Sequence, residues 1–353
     1  MIKEEGKIKE YYHALLNRDS QYAGVFFVGV HTTKVFCIST CRARKPKLQN
    51  VVFYDSAKEA LQYGFRPCKV CKPTENLNEP PVEVKHILRL VSERPEKKIK
   101  DEDLRDLGYA PEKIRRWFKT NFGITFQAYQ RMIRINAAYE RLKRGNPVTN
   151  SAFQSGYESL SGFGYTFKNL MEASPEDADR LTLIYWHRFT TPLGPMYACA
   201  TDRGLCLLEF TDRRMLETEI EDLVKKLKAK FVVGENEHTK KTEAQIAEYF
   251  AGNRRTFDVT LDMPGTEFQQ KAWKGLLTIP FGSTRSYSEQ ARRLQSPLAV
   301  RAVANANGQN RISIIVPCHR IIGADGNLTG YGGGLPRKKW LLDHESSLLG
   351  LVD

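Results

Sequence analysis

The chain has 353 residues, which exceeds one ordinary domain and favours two or three. Hydrophobic residues make up 41% of it, enough for a packed core, and the formal charge of +13 favours polyanionic partners such as nucleic acid or an acidic membrane surface. The charge alone also fits a basic but otherwise ordinary soluble enzyme. No apolar run reaches the ~18 residues of a transmembrane helix, and the start, MIKEEGKIKEYY, lacks the apolar stretch of a signal peptide. We therefore expect a cytoplasmic protein.

The first segment, residues 1–76, is predicted to form a small module. GVFFVGVHTTKVFCIS has the pattern of a strand, a turn and a second strand, and DSAKEALQYG that of a short helix ended by Gly64. Four of the seven cysteines lie in this segment. In a reducing compartment, such crowding favours metal and thiolate chemistry over disulfides.

These four cysteines form two close pairs with 26 residues between them: Cys37, Cys41, Cys68 and Cys71. Two such pairs can converge on one tetrahedral ion, and four thiolates suit zinc better than magnesium or calcium, which prefer oxygen ligands. We expect one Zn²⁺ here. The alternatives are four buried free cysteines and a zinc site with a purely structural role.

Basic residues follow the second cysteine directly, in the run CRARKPK, and could bind phosphate or only form a solvated loop: Arg42, Arg44, Lys45 and Lys47. The stretch FCISTCRARKPKLQNVVFYDSAKEALQYGFRPCKVCKP resembles the N-terminal metal-binding domain of the Ada family of DNA-repair regulators. The resemblance implies that one zinc-bound thiolate accepts a methyl group from a methylated DNA phosphate, and by position that acceptor is Cys37. Methylation would lower the charge of the cluster from −2 to −1, and we expect this to tighten DNA binding.

The second segment, residues 80–178, follows a polar stretch, TENLNEPP at 74–81, that is predicted to be a linker. We expect helices throughout. DLRDLGYAPEKIRRWFKTNFG combines a short helix, a glycine turn and a basic second helix, as in a helix-turn-helix that binds the major groove. Its exposed basic residues are predicted DNA contacts, although a plain helical bundle has the same pattern: Arg115, Arg116 and Lys119.

One apolar stripe from Ala128 to Leu142 predicts a helix of several turns that joins this unit to a second copy. The second copy, VTNSAFQSGYESLSGFGYTFKN, resembles the second helix-turn-helix of AraC-type activators. It departs from the usual pattern, because Gly162 and Gly164 lie within the presumed recognition helix and Glu172 stands where the family usually has glycine.

The third segment, residues 181–353, follows a break near MEASPEDADR at 171–180. LIYWHRFTTPLGPMYACATDRGLCLLEF predicts β-hairpins, and helices are expected to dominate from about Met215 onward. Cys199 and Cys206 lie in the predicted strands with no His or Cys nearby in sequence, so we interpret them as core residues.

A cysteine lies directly against a histidine in VPCHR, residues 316–320. Neighbours on an extended chain point to opposite sides, so adjacency alone leaves Cys318 as nucleophile, metal ligand or core. PCHR, with Asn310 before it and Glu345 after it, resembles the O6-alkylguanine-DNA alkyltransferases over about residues 181–350. With the other two segments, the whole chain matches the Ada plan.

The resemblance implies a role for each of these residues. Cys318 is the nucleophile, His319 the base that acts through water, and Glu345 the residue that orients His319. Asn310 would hold the active-site turn and contact the guanine, and Tyr287 would donate a proton or hydrogen bond to the departing base. A thioether has no leaving route in water, so each acceptor works once, without an organic cofactor.

SYSEQARRLQSPLAVRAVANANG is predicted to be a further helix-turn-helix that binds the minor groove, with small residues on its second helix. These are Ala299, Ala302, Ala304 and Ala306. The same pattern is common in helices that simply pack closely. By resemblance, Arg301 fills the gap that the flipped-out base leaves in the duplex.

The expected fold is a multidomain α+β protein. It comprises a small zinc-bound α/β module, an all-α double helix-turn-helix module and an α+β alkyltransferase module. The last divides into a ribonuclease H-like β-rich part, about 181–260, and a winged-helix-like active-site part, about 264–350. We expect a monomer that binds double-stranded DNA, both alkylated and promoter DNA, and RNA polymerase. The alternative functions are a zinc-bound regulator with an inert alkyltransferase module and a thiol hydrolase built on Cys318 and His319.

Overall fold

A computed structural model describes residues 1–350 except 56, 72 and 74–79. The predicted linker at 74–81 therefore lies outside the described residues, apart from its two prolines. Within the described part of the chain, no helix combines the length and the apolar character needed to span a membrane.

The first module packs two helices against opposite faces of a four-stranded sheet, whose strands lie in the order β3-β1-β2-β4. β1 pairs antiparallel with β2 and β3, and β4 pairs parallel with β2. The strand, turn, strand and short helix are confirmed. The elements are α1 (Glu5–Asn17), β1 (Phe27–Val30), β2 (Val35–Ile38), β3 (Val51–Tyr54), α2 (Ala57–Gln62) and β4 (Arg66–Pro67).

The second module is helical, as predicted. Pro111 occupies the first turn of α5, and the apolar stripe lies on α6, where Ile135 and Tyr139 are buried. The elements are α3 (Val82–Glu93), α4 (Asp101–Asp106), α5 (Pro111–Phe122), α6 (Phe126–Lys143), α7 (Val148–Gln154) and α8 (Leu160–Met171), followed by a 3-10 helix (Pro175–Arg180).

The third module begins with a mixed sheet in the order β7-β6-β5-β8. β8 pairs parallel with β5 after a helical crossover, and it is a strand in a region where helices were expected to dominate. Cys199 and Cys206 are buried in β6 and β7, as predicted. The elements are β5 (Thr182–Thr191), β6 (Gly194–Thr201), β7 (Gly204–Phe210), α9 (Leu216–Leu227), β8 (Ala229–Val233) and α10 (Glu237–Phe250).

The remaining residues form a helical part that packs on β7 around one hydrophobic core. Two short strands and a 3-10 helix, Cys318–Arg320, lie between its helices. The elements are α11 (Glu267–Leu276), β9 (Arg285–Ser286), α12 (Tyr287–Arg293), α13 (Val300–Gly308), β10 (Ile321–Ile322) and α14 (Leu335–Ser347).

The modules pack directly against one another. Asn136 of α6 donates a hydrogen bond to the carbonyl of Val233 in β8 at 2.8 Å, and one hydrophobic cluster combines residues of α6, α8, β5 and β8. The segment predicted as a break, 171–180, completes α8 and forms the 3-10 helix beside α6. The first module contacts α14, where Arg337 donates to the carbonyl of Ser20 at 3.2 Å.

Candidate active site and zinc centre

The turn before Cys318 has a strained backbone, and the side chain of Asn310 holds it through hydrogen bonds. Ile314 has a φ of +70°, a left-handed conformation that a β-branched residue rarely adopts. The amide nitrogen of Asn310 donates to the carbonyl of Val316 at 2.8 Å and to Sγ of Cys318 at 3.1 Å, while its oxygen accepts from the backbone N–H of Ile312 at 3.0 Å. Asn310 thus fixes the turn and contacts the thiol at the same time.

Cys318 lies at the start of the 3-10 helix and is 8% exposed. Burial raises the pKa of its thiol, since a thiolate loses solvation inside the protein. The hydrogen bond from Asn310 and the charges of Arg213 and Lys338 act in the opposite direction on this pKa, while Glu209 raises it further. The resting group is therefore a thiol, and Asn310, Arg213 and Lys338 are the neighbours that favour its ionised form.

His319 and Glu345 are hydrogen-bonded at 2.9 Å between Nε2 and Oε1, and both are fully buried. Because a carboxylate only accepts, Nε2 carries the hydrogen and Nδ1 carries the free lone pair. Burial lowers the pKa of His319, an effect that Glu345 partly opposes. Nδ1 is buried without a hydrogen bond to the described protein atoms, so His319 is neutral and can accept a proton.

Glu345 collects hydrogen bonds from several elements. Arg320 donates to both carboxylate oxygens, at 2.8 and 2.9 Å, and Tyr249 and the backbone N–H of Gly282 donate at 2.9 and 3.0 Å. Burial acts to raise the pKa of Glu345, but His319 and Arg320 outweigh it and hold this pKa well below its usual value. The sequence reasoning missed Arg320 and Tyr249. Arg320 is the last residue of the PCHR motif itself. Tyr249 is 96 residues from Glu345, and no motif near it in the sequence indicates a role in this site.

The other predicted alkyltransferase residues lie on two helices. Tyr287 begins α12, is partly buried and has a raised pKa, chiefly through burial. Arg301 and Ala302 are exposed on α13. Ala306 was also expected on the DNA-facing side, and this was wrong: it is 2% exposed, and Trp273 donates to its carbonyl at 2.8 Å.

The four cysteines of the first module lie together. Cys37 lies in β2, Cys41 follows that strand, and Cys68 and Cys71 follow β4. Their sulfur atoms all lie within 4.8 Å of one another and are buried. Four sulfurs at ~2.3 Å from a tetrahedral zinc ion would be separated by about 3.8 Å, so this set fits one zinc ion. The module carries a four-cysteine zinc site.

Some of the predicted DNA contacts of the first two modules are exposed, whereas others already bind partners within the protein. Arg42, Arg44 and Arg116 are exposed, whereas Lys45 donates to the carbonyl of Cys41 at 3.1 Å. Arg115 forms an ion pair with Asp101. The Lys119 amine donates to the carbonyl of Gly123 at 2.9 Å. Arg115 and Lys119 would therefore have to exchange protein partners for phosphate.

Glu172 ends α8 with a φ of +57°, a left-handed conformation that favours glycine. This position is one of those where the sequence departs from the AraC-type pattern. Its carboxylate pairs with Lys230 of β8 at 2.6 Å, so the departure adds a contact between the second and third modules.

Two known families match the third module. Residues 184–263 match the ribonuclease-like domain of 6-O-methylguanine DNA methyltransferase, and residues 267–347 match the DNA binding domain of that protein. The buried cysteine, histidine and glutamate lie within the second of these parts. Fold and site together define the third module as one of the 6-O-methylguanine DNA methyltransferases.

The rest of the chain narrows this class further. Residues 10–74 match the metal binding domain of Ada, and residues 104–180 match a helix-turn-helix domain. The "Bifunctional transcriptional activator/DNA repair enzyme Ada" of Escherichia coli (strain K12) is 33% identical over 356 residues, which covers 95% of each chain. The chain belongs to the Ada family.

Solved structures match individual parts. A Mycobacterium tuberculosis OGT in complex with DNA is 42% identical, and the match covers 48% of this chain and 99% of that chain with a TM-score of 0.41. A methylated N-ADA/DNA complex is 35% identical, and the match covers 36% of this chain and 96% of that chain with a TM-score of 0.29.

Proposed function

We propose that the protein is a single-turnover DNA-repair methyltransferase that also activates transcription once it is methylated. It moves one methyl group from O6-methylguanine to Cys318 and one from a DNA methylphosphotriester to Cys37. The observation that carries the proposal is the buried constellation of a thiol, a neutral histidine and an ionised glutamate within a chain that also carries a four-cysteine zinc site. Its functional units are residues 1–76, 80–178 and 181–353.

At Cys318 the reaction begins with loss of the thiol proton. His319 accepts this proton at Nδ1 through a water molecule, and the resulting imidazolium is stabilised by Glu345. The sulfur then attacks the methyl carbon, a C–S bond forms, and the bond between that carbon and guanine O6 breaks. The 3.1 Å contact from Asn310 to Sγ supports this assignment, because it stabilises the thiolate as it forms.

The departing guanine gains negative charge at O6, and Tyr287 donates a hydrogen bond or proton to it. A methyl group inside the stacked duplex is out of reach, so the base must leave the helix at a cost of a few kcal/mol. Arg301 and Ala302 support this step, since both are exposed on α13: the small residue permits a close approach to the minor groove, and the arginine fills the gap.

Cys37 is the second acceptor. When bound, zinc keeps its cysteine ligands as thiolates at neutral pH, the form that attacks carbon. Methylation of Cys37 removes one negative charge from the cluster and so reduces its repulsion of DNA. Arg42 and Arg44 are exposed beside the cluster and bind the neighbouring phosphates.

The helical module directs the methylated protein to promoter DNA. α5 carries the exposed Arg116, and α6 separates the two helix-turn-helix units by 18 residues of helix. Because one chain supplies two units, it acts as a monomer where single-unit proteins need a dimer. Activation requires contact with RNA polymerase. The seven cysteines, all within the described residues, form no disulfide, which fits a reducing cytoplasm.

The test is incubation of the full chain with a duplex that carries radiolabelled O6-methylguanine. We expect capture to stop at one methyl group per protein, and a Cys318→Ala variant to capture none from this substrate. A chain without capture would indicate an inert alkyltransferase module. Continued turnover, or capture by Cys318→Ala, would contradict the assignment of Cys318.

A further inference from the structure

The ribonuclease-like part contains a buried ion cluster that the proposed chemistry leaves without a role. Arg213 donates to Glu209 at 2.7 Å through Nη1 and to Glu219 at 2.5 Å through Nη2. These three side chains are 4%, 0% and 7% exposed, respectively. Buried charges lose the solvation that water gives them, and an apolar replacement is often as stable, so stability alone explains such a cluster poorly.

The cluster reaches both elements of the alkyltransferase site. Glu209 Oε1 also accepts a hydrogen bond at 2.7 Å from the hydroxyl of Ser313, the residue before the strained Ile314. Arg213 Nη2 also donates at 3.1 Å to the carbonyl of Gly308, the last residue of α13. One ion pair therefore contacts the turn that leads to Cys318 and the end of the helix that carries Arg301.

Backbone hydrogen bonds also join β7 to the start of the active-site turn. The N–H of Ser313 donates to the carbonyl of Leu208, and the N–H of Leu208 donates to the carbonyl of Arg311, each at 2.8 Å. The start of the active-site turn thus pairs with β7 as a short parallel bridge, next to Glu209. These contacts join the two parts of the module at the turn itself.

We propose that Glu209 and Arg213 are positioning residues, which clamp the turn before Cys318 and the C-terminal end of α13 in a fixed relation. The ribonuclease-like part then contributes to methyl transfer by positioning the residues of the site. This inference rests on the proposed function, because it assumes that Cys318 takes the methyl group while α13 holds the DNA.

The cluster also affects the pKa of the Cys318 thiol. The carboxylate of Glu209 raises the pKa of Cys318, and Arg213 lowers it. The other titratable and charged groups that face the thiol, His319 or Glu209 are Glu219, Tyr287, Arg320, Tyr331, Arg337, Lys338 and Glu345. Replacing Glu209 with glutamine keeps an acceptor for Ser313 and Arg213 but removes the negative charge. A role limited to packing would leave the pH profile of transfer unchanged.

The experiment measures the single-turnover rate of methyl transfer from O6-methylguanine duplex against pH in Glu209→Gln and Ser313→Ala. Thr242→Val is the matched control, since Thr242 is a buried residue of α10 in the same part, and its hydroxyl donates to the carbonyl of His238 at 2.7 Å. Circular dichroism and thermal unfolding report whether each variant is folded.

We expect Ser313→Ala to slow transfer by about two- to tenfold, the range for one hydrogen bond, with its pH profile unchanged. Glu209→Gln should shift the pH dependence of the transfer rate to lower pH, because the pKa of Cys318 falls when the neighbouring negative charge is removed. Thr242→Val should alter neither quantity. Rates and profiles in both test variants that equal those of the control would overturn this inference alone. An unmodified chain that captures no methyl group would overturn the proposed function and this inference with it.

Discussion

Replacing Asn310 with alanine should slow methyl transfer to Cys318 by about 10- to 150-fold. The substitution removes the hydrogen bond to Sγ, and a hydrogen bond to a charged group contributes about 1.5–3 kcal/mol, which is about 10- to 150-fold in rate. It also leaves the N–H of Ile312 and the carbonyl of Val316 without this partner. The strain at Ile314, of order 1–3 kcal/mol, can then relax and displace the thiol.

Asn307→Ala is the matched control. Asn307 lies three residues earlier, is 6% exposed, and exchanges hydrogen bonds with the side chain of Gln290 at 2.6 and 3.2 Å. Its loss should cost similar folding free energy without reaching the turn. The assay is rapid quench under single-turnover conditions, with protein in excess over saturated O6-methylguanine duplex. Equal rates in the Asn310→Ala and Asn307→Ala variants would refute the argument that Asn310 stabilises the thiolate.

Two further predictions concern stability. Gly24 and Gly64 share a φ of +78°, but a Cβ at Gly24 would lie 2.0 Å from the carbonyl oxygen of Pro192, whereas one at Gly64 has no neighbour within 4 Å. Gly24→Ala should therefore lower the melting temperature more than Gly64→Ala, and equal decreases would argue against docking of the zinc module on the third module. Because the pKa of Glu345 is lower in the folded chain than its ordinary 4.5, the unfolded chain binds the proton first as pH falls. Unfolding free energy should thus decline below about pH 4.5, and less steeply in Glu345→Gln; identical pH slopes in denaturant titrations would contradict this.

Much of the fold could be predicted because its signals are local. The spacing of the four cysteines, the glycine turns, Pro111 at the start of α5 and the stripe on α6 each act within a few residues. β8 was missed because AKFVV is short and depends on pairing with β5, which lies about 45 residues earlier. The side of α13 on which Ala306 lies was also set by distant packing, because Trp273 covers it. A small residue suits both close packing and a groove-facing surface, so the sequence could not distinguish the two.

Residues of the candidate site could be predicted where they belong to a recognised motif. Residues that tertiary folding brings to the site from distant parts of the chain could not. Cys318, His319 and Arg320 lie in one short stretch, and the family resemblance also named Glu345 as the partner of His319. Tyr249 was found only in the structure. The Glu209–Arg213 pair is likewise separated from the turn by about 100 residues. Its partners are fixed by tertiary packing, which leaves no periodic pattern in the sequence.

In the proposed function, two thiols of the chain each take one methyl group from a different DNA lesion. The most direct measurement is peptide mapping by mass spectrometry after separate exposure of the zinc-loaded chain to methylphosphotriester DNA and to O6-methylguanine DNA. We expect one methyl group on Cys37 after the first substrate and one on Cys318 after the second. A methyl group on any other residue, or on the same thiol with both substrates, would contradict it.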